Sequence, residues 1–240
     1  MSEKKSRLDA FRALATKDIK FNLSKQDKKR LIILVIELVV LTSFTFILYR
    51  IYINLRGVWP TRILNMSYYI LSLSVAMLGM KLTGMDIKAS FRFKGVKQYI
   101  FGVASGLFLL FVIAVVPSFF GASLIGLHYN YSIETYIFQF FYYFIFVGPV
   151  EEFIFRVYVQ ETLTDILPKA KWLAPIISAV IFGLRHTICG TWYQACFATG
   201  IGIFWGLCKH FSKNCTYIST WISHGLYDFG LLLAIQFIVK

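Results

Sequence analysis

The sequence predicts an all-α, polytopic transmembrane helical bundle of about seven spans. Hydrophobic side chains make up 58% of the 240 residues, charged ones only 15%, and the mean hydropathy is +0.65. This composition is too apolar for a soluble domain of the same length. Windows of about 17–25 apolar residues, the length that crosses a bilayer, recur along the chain. These two observations predict the fold class.

The apolar windows define the spans in order. They lie at residues 31–49, 66–82, 99–119, 133–159, 171–189, 191–208 and 215–238. The first follows a basic segment, and a basic loop at 81–98 separates the second from the third. Pro168 ends the fourth, because proline breaks a helix. An odd number of spans, no obvious repeat and one charged cluster favour a single bundle over a two-fold transporter.

Basic residues are distributed unevenly between the loops. Ten of the 25 Lys and Arg lie in residues 1–30 and five more in 81–98. These segments share one side of the membrane if the N-terminus is cytoplasmic. The positive-inside rule therefore predicts a multi-pass protein of the cell membrane with its N-terminus inside.

Two interpretations of the basic N-terminal segment stay open. Leu8, Phe11, Ala15 and Ile19 recur at near-helical spacing among Lys and Arg. This pattern is typical of an amphipathic helix lying on anionic lipid, where each basic residue contributes about 1 kcal/mol. A solvated tail that only sets orientation explains the charge equally well. Membrane lipid is the predicted partner, and nothing further in the sequence supports a nucleic-acid partner.

The fourth span contains ionisable side chains within an apolar run, since residues 148–158 read GPVEEFIFRVY. A charge at bilayer depth costs roughly 3 kcal/mol on insertion scales, so such residues usually mark function. Glu152 and Arg156 are four apart, which predicts an ion pair on one helix face. Glu151 lies about 100° further round the helix and has no such partner. This carboxylate is therefore available as a base.

The fifth and seventh spans each contain a histidine. His186 ends the run AVIFGLRH, and His224 lies four residues before Asp228 on one helix face. At about 1.5 Å per residue from the cytoplasmic ends, Glu151, His186 and Asp228 lie roughly 21–22 Å deep, and His224 about a turn away. Groups from three spans are therefore predicted to meet inside the membrane.

Three other features of these spans matter. Pro149 should kink the fourth span, because its ring clashes with the preceding turn. Gly148 beside it either makes room for water or simply allows close packing. Arg185, next to His186, either balances the carboxylates or reaches the outer interface, and the sequence does not choose between these.

The three motifs together resemble a known family. They read Glu151-Glu152-x-x-x-Arg156, Phe182-x-x-x-His186 and His224-x-x-x-Asp228. In order and one per span, they resemble the EExxxR, FxxxH and HxxxN/D motifs of the CPBP intramembrane proteases. That family comprises the type II CAAX prenyl endopeptidases and the bacteriocin-processing or Abi proteins. The resemblance covers roughly residues 95–238. It implies a CPBP/Abi-like protease core (99–240). Charge and hydropathy divide the preceding chain into a basic cytoplasmic tail (1–30), for which an amphipathic helix is one interpretation, and N-terminal transmembrane spans with a basic loop (31–98).

The resemblance also implies four catalytic residues, Glu151, His186, His224 and Asp228. Glu151 would be the general base, polarising a water held jointly with His186. His224 and Asp228 would face the substrate carbonyl and support its developing oxyanion. Glu152 and Arg156 would be structural support, and Phe182 a packing residue only.

Asp228 stands where the family often has Asn. An ionised carboxylate cannot donate a hydrogen bond to an oxyanion. Asp228 would therefore be protonated, orient His224 or bind a metal. The four catalytic residues are a plausible zinc set, which is the alternative. The sequence contains no HExxH, and a glutamate–histidine water mechanism needs no ion, so we predict no cofactor.

Sequence and resemblance together predict an intramembrane endopeptidase that cleaves a membrane-associated peptide or protein. By analogy with the family, the substrate would be a pheromone, leader or bacteriocin precursor, or a CAAX-like C-terminus. The alternative is a non-catalytic membrane immunity or scaffold protein on the same fold. The intact motifs favour the enzyme, because a binding protein has no need for an unpaired Glu151 in a membrane.

Overall fold

A computed structural model describes residues 23–125 and 130–238. The amphipathic helix considered for the basic tail falls on residues 1–22 and lies outside the described residues. The described ranges contain eight helices and no strand, so the predicted all-α bundle is confirmed. The helices are α1 (Lys25–Tyr52), α2 (Val58–Thr83), α3 (Ile87–Ser90), α4 (Lys97–Phe119), α5 (Ile133–Ile166), α6 (Leu173–Arg185), α7 (Trp192–Phe211) and α8 (Tyr217–Phe237).

The helices differ in their capacity to cross a bilayer. Among the described residues, α1, α2, α4 and α5 are long and apolar enough to do so. Helices α7 and α8 have 20 and 21 residues, but polar side chains lower their hydropathy. Helix α6 has only 13 residues, roughly 20 Å at about 1.5 Å per residue, which is shorter than a hydrocarbon core of about 30 Å. The fifth predicted span, 171–189, therefore contains a helix that ends inside the bundle.

Helix α5 is the centre of the bundle and packs against α1, α2, α6 and α8. Between Val147 and Gln160 every residue is buried except Glu151. A helical segment that is buried on all faces belongs to the core of the bundle. Here the core also encloses the charged side chains of Glu152 and Arg156. The surrounding helices therefore seal every face of this segment except the one that Glu151 occupies.

Two widened, π-helical segments flank the glutamates in α5. They are Tyr143–Val147 and Phe153–Val159. Pro149 lies between them and lacks an N–H, which explains why the regular helical ladder is interrupted there. Side chains of α8 use the carbonyls of this region: Trp221 Nε1 donates to Phe144 O at 2.6 Å, and Tyr217 Oη donates to Pro149 O at 2.9 Å. These two hydrogen bonds connect the irregular part of α5 to α8.

Gly148 lies where α5 closely approaches the backbone of α8. A Cβ atom at this position would lie 3.1 Å from Trp221 O and 3.2 Å from Gly225 N. These are backbone atoms that cannot move aside, so a larger residue would push the helices apart. Of the two interpretations of Gly148, the structure therefore favours close packing over room for water.

Candidate active site

The four residues predicted to be catalytic line one cavity. It has a volume of about 670 Å³ and lies between α2, α4, α5, α6, α7 and α8. Glu151 comes from α5, His186 from the end of α6, and His224 with Asp228 from α8. Apolar and tyrosine side chains form most of the remaining wall. The structure therefore brings together residues that are up to 77 positions apart along the chain.

Glu152 and Arg156 form an ion pair below the cavity. Arg156 Nε lies 3.3 Å from Glu152 Oε2, and both side chains are fully buried. The guanidinium also lies 5.3 Å from the centre of the Phe182 ring. A Cβ at Gly202 would lie 3.1 Å from Arg156 Nη2 and 3.2 Å from Phe182 Cδ1. The arginine thus fills a space that α7 leaves open by having a glycine there.

His224 lies between three carboxylates. Its Nδ1 is 3.0 Å from Glu152 Oε1, while its Nε2 is 3.4 Å from Asp228 Oδ2 and 3.8 Å from Glu151 Oε2. The imidazole stacks on Trp205 with 4.4 Å between ring centres. Because Nδ1 is bound to Glu152, only Nε2 is available to the cavity. Glu152 therefore orients His224 as well as pairing with Arg156, a contact between helices that sequence spacing did not predict.

Glu151 has partners that its sequence position does not reveal. Tyr69 of α2 donates a hydrogen bond from Oη to Glu151 Oε1 at 3.1 Å. The other carboxylate oxygen faces His224, and 17% of the side chain is exposed to the cavity. The helical spacing predicted that Glu151 lacks an ion-pair partner like Arg156, and among the described residues no lysine or arginine lies within ion-pair distance of it. A tyrosine, which the spacing does not reveal, holds one of its oxygens.

His186 stands where α6 ends. The chain tightens there into a turn in which His186 N donates to Gly183 O, so the Phe182 carbonyl loses its usual helical donor. His186 Nδ1 takes that place, 2.9 Å from Phe182 O. A carbonyl can only accept, so Nδ1 carries the proton and Nε2 of the neutral ring is an acceptor. His186 contacts no carboxylate among the described residues, which leaves Nε2 for a ligand in the cavity.

Arg185 contacts hydroxyl groups of the two N-terminal helices. Its guanidinium donates to Thr45 Oγ1 at 3.2 Å and to Tyr68 Oη. These residues belong to α1 and α2, so Arg185 ties the end of α6 to the N-terminal helices. Its pairing with hydroxyls across the bundle could not be inferred from the local sequence.

Trp205 and Tyr69 are the site residues that sequence reasoning missed. Trp205 Nε1 donates to Ser223 Oγ at 2.8 Å, which fixes the indole under His224. Both aromatics lie in apolar helices and have no distinctive neighbours in sequence. Only their positions in the folded bundle indicate a part in the site.

The His, Asp and Glu side chains around the cavity can be compared with the ligands of a zinc site. Zinc in proteins is usually held by at least three His, Cys, Asp or Glu donors about 2.0–2.3 Å from a common point. Within the residues that the structure describes, no group of three or more such side chains has this arrangement. The hydrogen bond of His186 Nδ1 to the α6 backbone leaves its Nε2 as the ring nitrogen that faces the cavity.

Several of the residues that meet in the cavity fall within a stretch of the sequence that matches a known family. Residues 133–230 match the family model described as type II CAAX prenyl endopeptidase Rce1-like. The chain therefore contains an Rce1-like domain, and the resemblance predicted from the three motifs is confirmed. No curated protein and no solved structure matches the chain significantly. The matched segment extends from the start of α5 into α8 and includes all four residues that the sequence predicted to be catalytic.

The match supports a CAAX-type intramembrane endopeptidase family for residues 133–230, and that family implies a peptidase. Four membrane-capable helices in the described part of the chain agree with a membrane protein. Tyr69, Thr45 and Tyr68 lie before the matched segment. The N-terminal helices thus supply contacts to a domain that begins only at residue 133.

Proposed function

We propose that this protein is an intramembrane endopeptidase in which Glu151 and His186 activate a water molecule for attack on a peptide bond. The main support is the difference in environment between the two adjacent glutamates of α5. Glu152 is fully buried and bound by Arg156 and His224, whereas Glu151 is the one residue between 147 and 160 that is open to the cavity. A carboxylate exposed there can receive a proton from bound water.

Each proposed step uses atoms that face the cavity. Glu151 takes a proton from the water while His186 Nε2 accepts its second hydrogen bond, and the oxygen bonds to the carbonyl carbon. The carbonyl becomes an oxyanion, which His224 Nε2 stabilises when the imidazole is protonated. The C–N bond then breaks, and Glu151 returns the proton to the leaving nitrogen. Asp228 Oδ2 lies 3.4 Å from His224 Nε2, so the Asp228 carboxyl group contributes to the electrostatic environment of this donor.

We propose that water is activated by protein groups alone. Within the described residues no three His, Cys, Asp or Glu side chains are arranged to hold a metal ion, and the Glu151 carboxylate can take a proton from water without one. If a zinc ion did bind, Glu151, His186, His224 and Asp228 would be its ligands, and the ion would polarise the water. The chelation experiment in the Discussion distinguishes these mechanisms.

The proposed substrate is a membrane-associated peptide or protein. The cavity wall is mostly apolar and aromatic, which suits a segment that arrives from the bilayer rather than from water. A CAAX-like C-terminus agrees with the matched family, and a pheromone, leader or bacteriocin precursor agrees with the wider CPBP resemblance. We further propose a cell-membrane protein with its N-terminus in the cytoplasm, because basic residues concentrate in 1–30 and 81–98.

The test is hydrolysis by purified protein in lipid against a library of candidate peptides, with product termini read by mass spectrometry. Glu151→Gln should abolish cleavage, since an amide cannot take the proton, yet its oxygen can still accept from Tyr69 and so preserve the fold. Glu134→Gln, the same change near the start of α5 at a side chain that is 68% exposed, is the matched control. Cleavage by Glu151→Gln within tenfold of wild type would contradict the base assignment. Absence of cleavage by the wild-type protein across the library would instead favour the non-catalytic immunity or scaffold alternative.

A further inference from the structure

We propose that Tyr69 is a positioning residue that holds the Glu151 carboxylate in the orientation needed to take a proton from water. This inference rests on the proposed function, and it concerns a residue on α2, outside the Rce1-like domain. The region before residue 133 would then take part in catalysis rather than only anchoring the protein in the membrane.

The contact distinguishes the two oxygens of Glu151. Tyr69 Oη donates to Oε1 at 3.1 Å, while Oε2 lies on the side of His224 Nε2, 3.8 Å away. The terminal torsion of a glutamate has a broad, roughly two-fold preference, so an unbound carboxylate turns freely. A hydroxyl that binds Oε1 restricts this rotation and directs the second oxygen toward the reacting groups.

Tyr69 is itself held by other aromatic rings. Its ring makes edge contacts with Tyr68 at 5.1 Å and with Tyr142 at 5.7 Å between ring centres. Tyr142 belongs to α5, about two and a half turns before Glu151, so the contact spans the interface between α2 and α5. The hydroxyl therefore projects from a fixed ring, which is the condition for it to orient another side chain.

The preceding residue extends the same arrangement to the other half of the site. Tyr68 accepts a hydrogen bond from Arg185, the residue immediately before His186. Consecutive tyrosines of α2 thus contact α5 at Glu151 and the end of α6 beside His186. Helix α2 is therefore placed to align the two groups that would share the water, although neither group belongs to it.

Steady-state kinetics of Tyr69→Phe test the proposal. Loss of a hydrogen bond to a charged group should lower kcat by about 10- to 100-fold. KM should stay within about twofold, because the hydroxyl is proposed to act on Glu151 and not on the substrate. The matched control is Tyr49→Phe on α1, whose ring stacks on Tyr52 and whose hydroxyl has no hydrogen bond within the described residues. The control should keep the wild-type kcat. A kcat for Tyr69→Phe within twofold of wild type would overturn the proposal.

A double-mutant cycle measured by protein stability, which requires no peptidase activity, tests this inference separately from the proposed function. Tyr69→Phe, Glu151→Leu and the double variant are compared by thermal unfolding in detergent. The double variant should lose less than the sum of the two single shifts in Tm, because both single changes remove the same contact. Additive shifts would overturn the Tyr69 inference and leave the proposed function standing. Non-additive shifts, with Glu151→Gln still cleaving peptide, would support the contact and contradict the proposed function.

Discussion

The buried ion pair of α5 allows the most quantitative prediction. Replacing Arg156 by Met keeps most of the side-chain volume but leaves the Glu152 carboxylate without its cation. Unit charges 3.3 Å apart attract by about 5 kcal/mol at an effective dielectric constant of about 20. His224 Nδ1, 3.0 Å away, still binds the stranded carboxylate. We therefore expect a loss of about 3 kcal/mol, the lower end of the range for breaking a buried pair.

The double variant Glu152→Gln/Arg156→Met should be more stable than Arg156→Met alone. It removes both charges, and the Gln oxygen can still accept a hydrogen bond from His224. We expect a coupling free energy of about 2 kcal/mol or more between positions 152 and 156. The pair Arg30–Asp165, 3.0 Å apart with 52% of the aspartate exposed, is the matched control. Its coupling should stay below about 1 kcal/mol, as is usual for surface pairs.

The double-mutant cycles for Glu152–Arg156 and for Arg30–Asp165 are measured by equilibrium unfolding of purified protein in mixed micelles, with SDS as denaturant. Wild type, two single variants and one double variant are needed for each pair. A coupling at Glu152–Arg156 no larger than that at Arg30–Asp165 would refute the argument that the pair is desolvated and mutually dependent.

Two further predictions concern the chemistry of the cavity. Asp228→Asn should retain cleavage, because Asn keeps the shape and matches the residue common in the CPBP family, whereas Asp228→Ala should be much weaker. A folded but inactive Asn variant in the peptide assay would show that the carboxylate itself is required. Treatment with 1,10-phenanthroline, followed by elemental analysis to show that metal is absent, should leave activity unchanged. Activity that disappears and returns with zinc would instead make His186, His224 and Asp228 ligands.

Several features of this protein followed from the sequence alone. Apolar windows predicted the all-α bundle, because the bilayer sets the length of a spanning helix. The four-residue spacing predicted that Glu152 and Arg156 would meet, as the structure shows, since the geometry of a single helix determines that contact. The three motifs in order predicted the Rce1-like family. In each case the observation depends on one helix at a time, or on the order of helices along the chain.

The contacts between helices were decided only by the tertiary structure. Tyr69 with Glu151, Glu152 with His224, and Arg185 with the hydroxyls of α1 and α2 join positions 72 to 140 residues apart or on separate elements. Such contacts depend on how each helix is rotated and tilted against its neighbours. That packing follows from local details, such as the close approach at Gly148 and the widened turns around Pro149. Periodicity indicates which face of a helix is buried, but it does not indicate which side chain that face will meet.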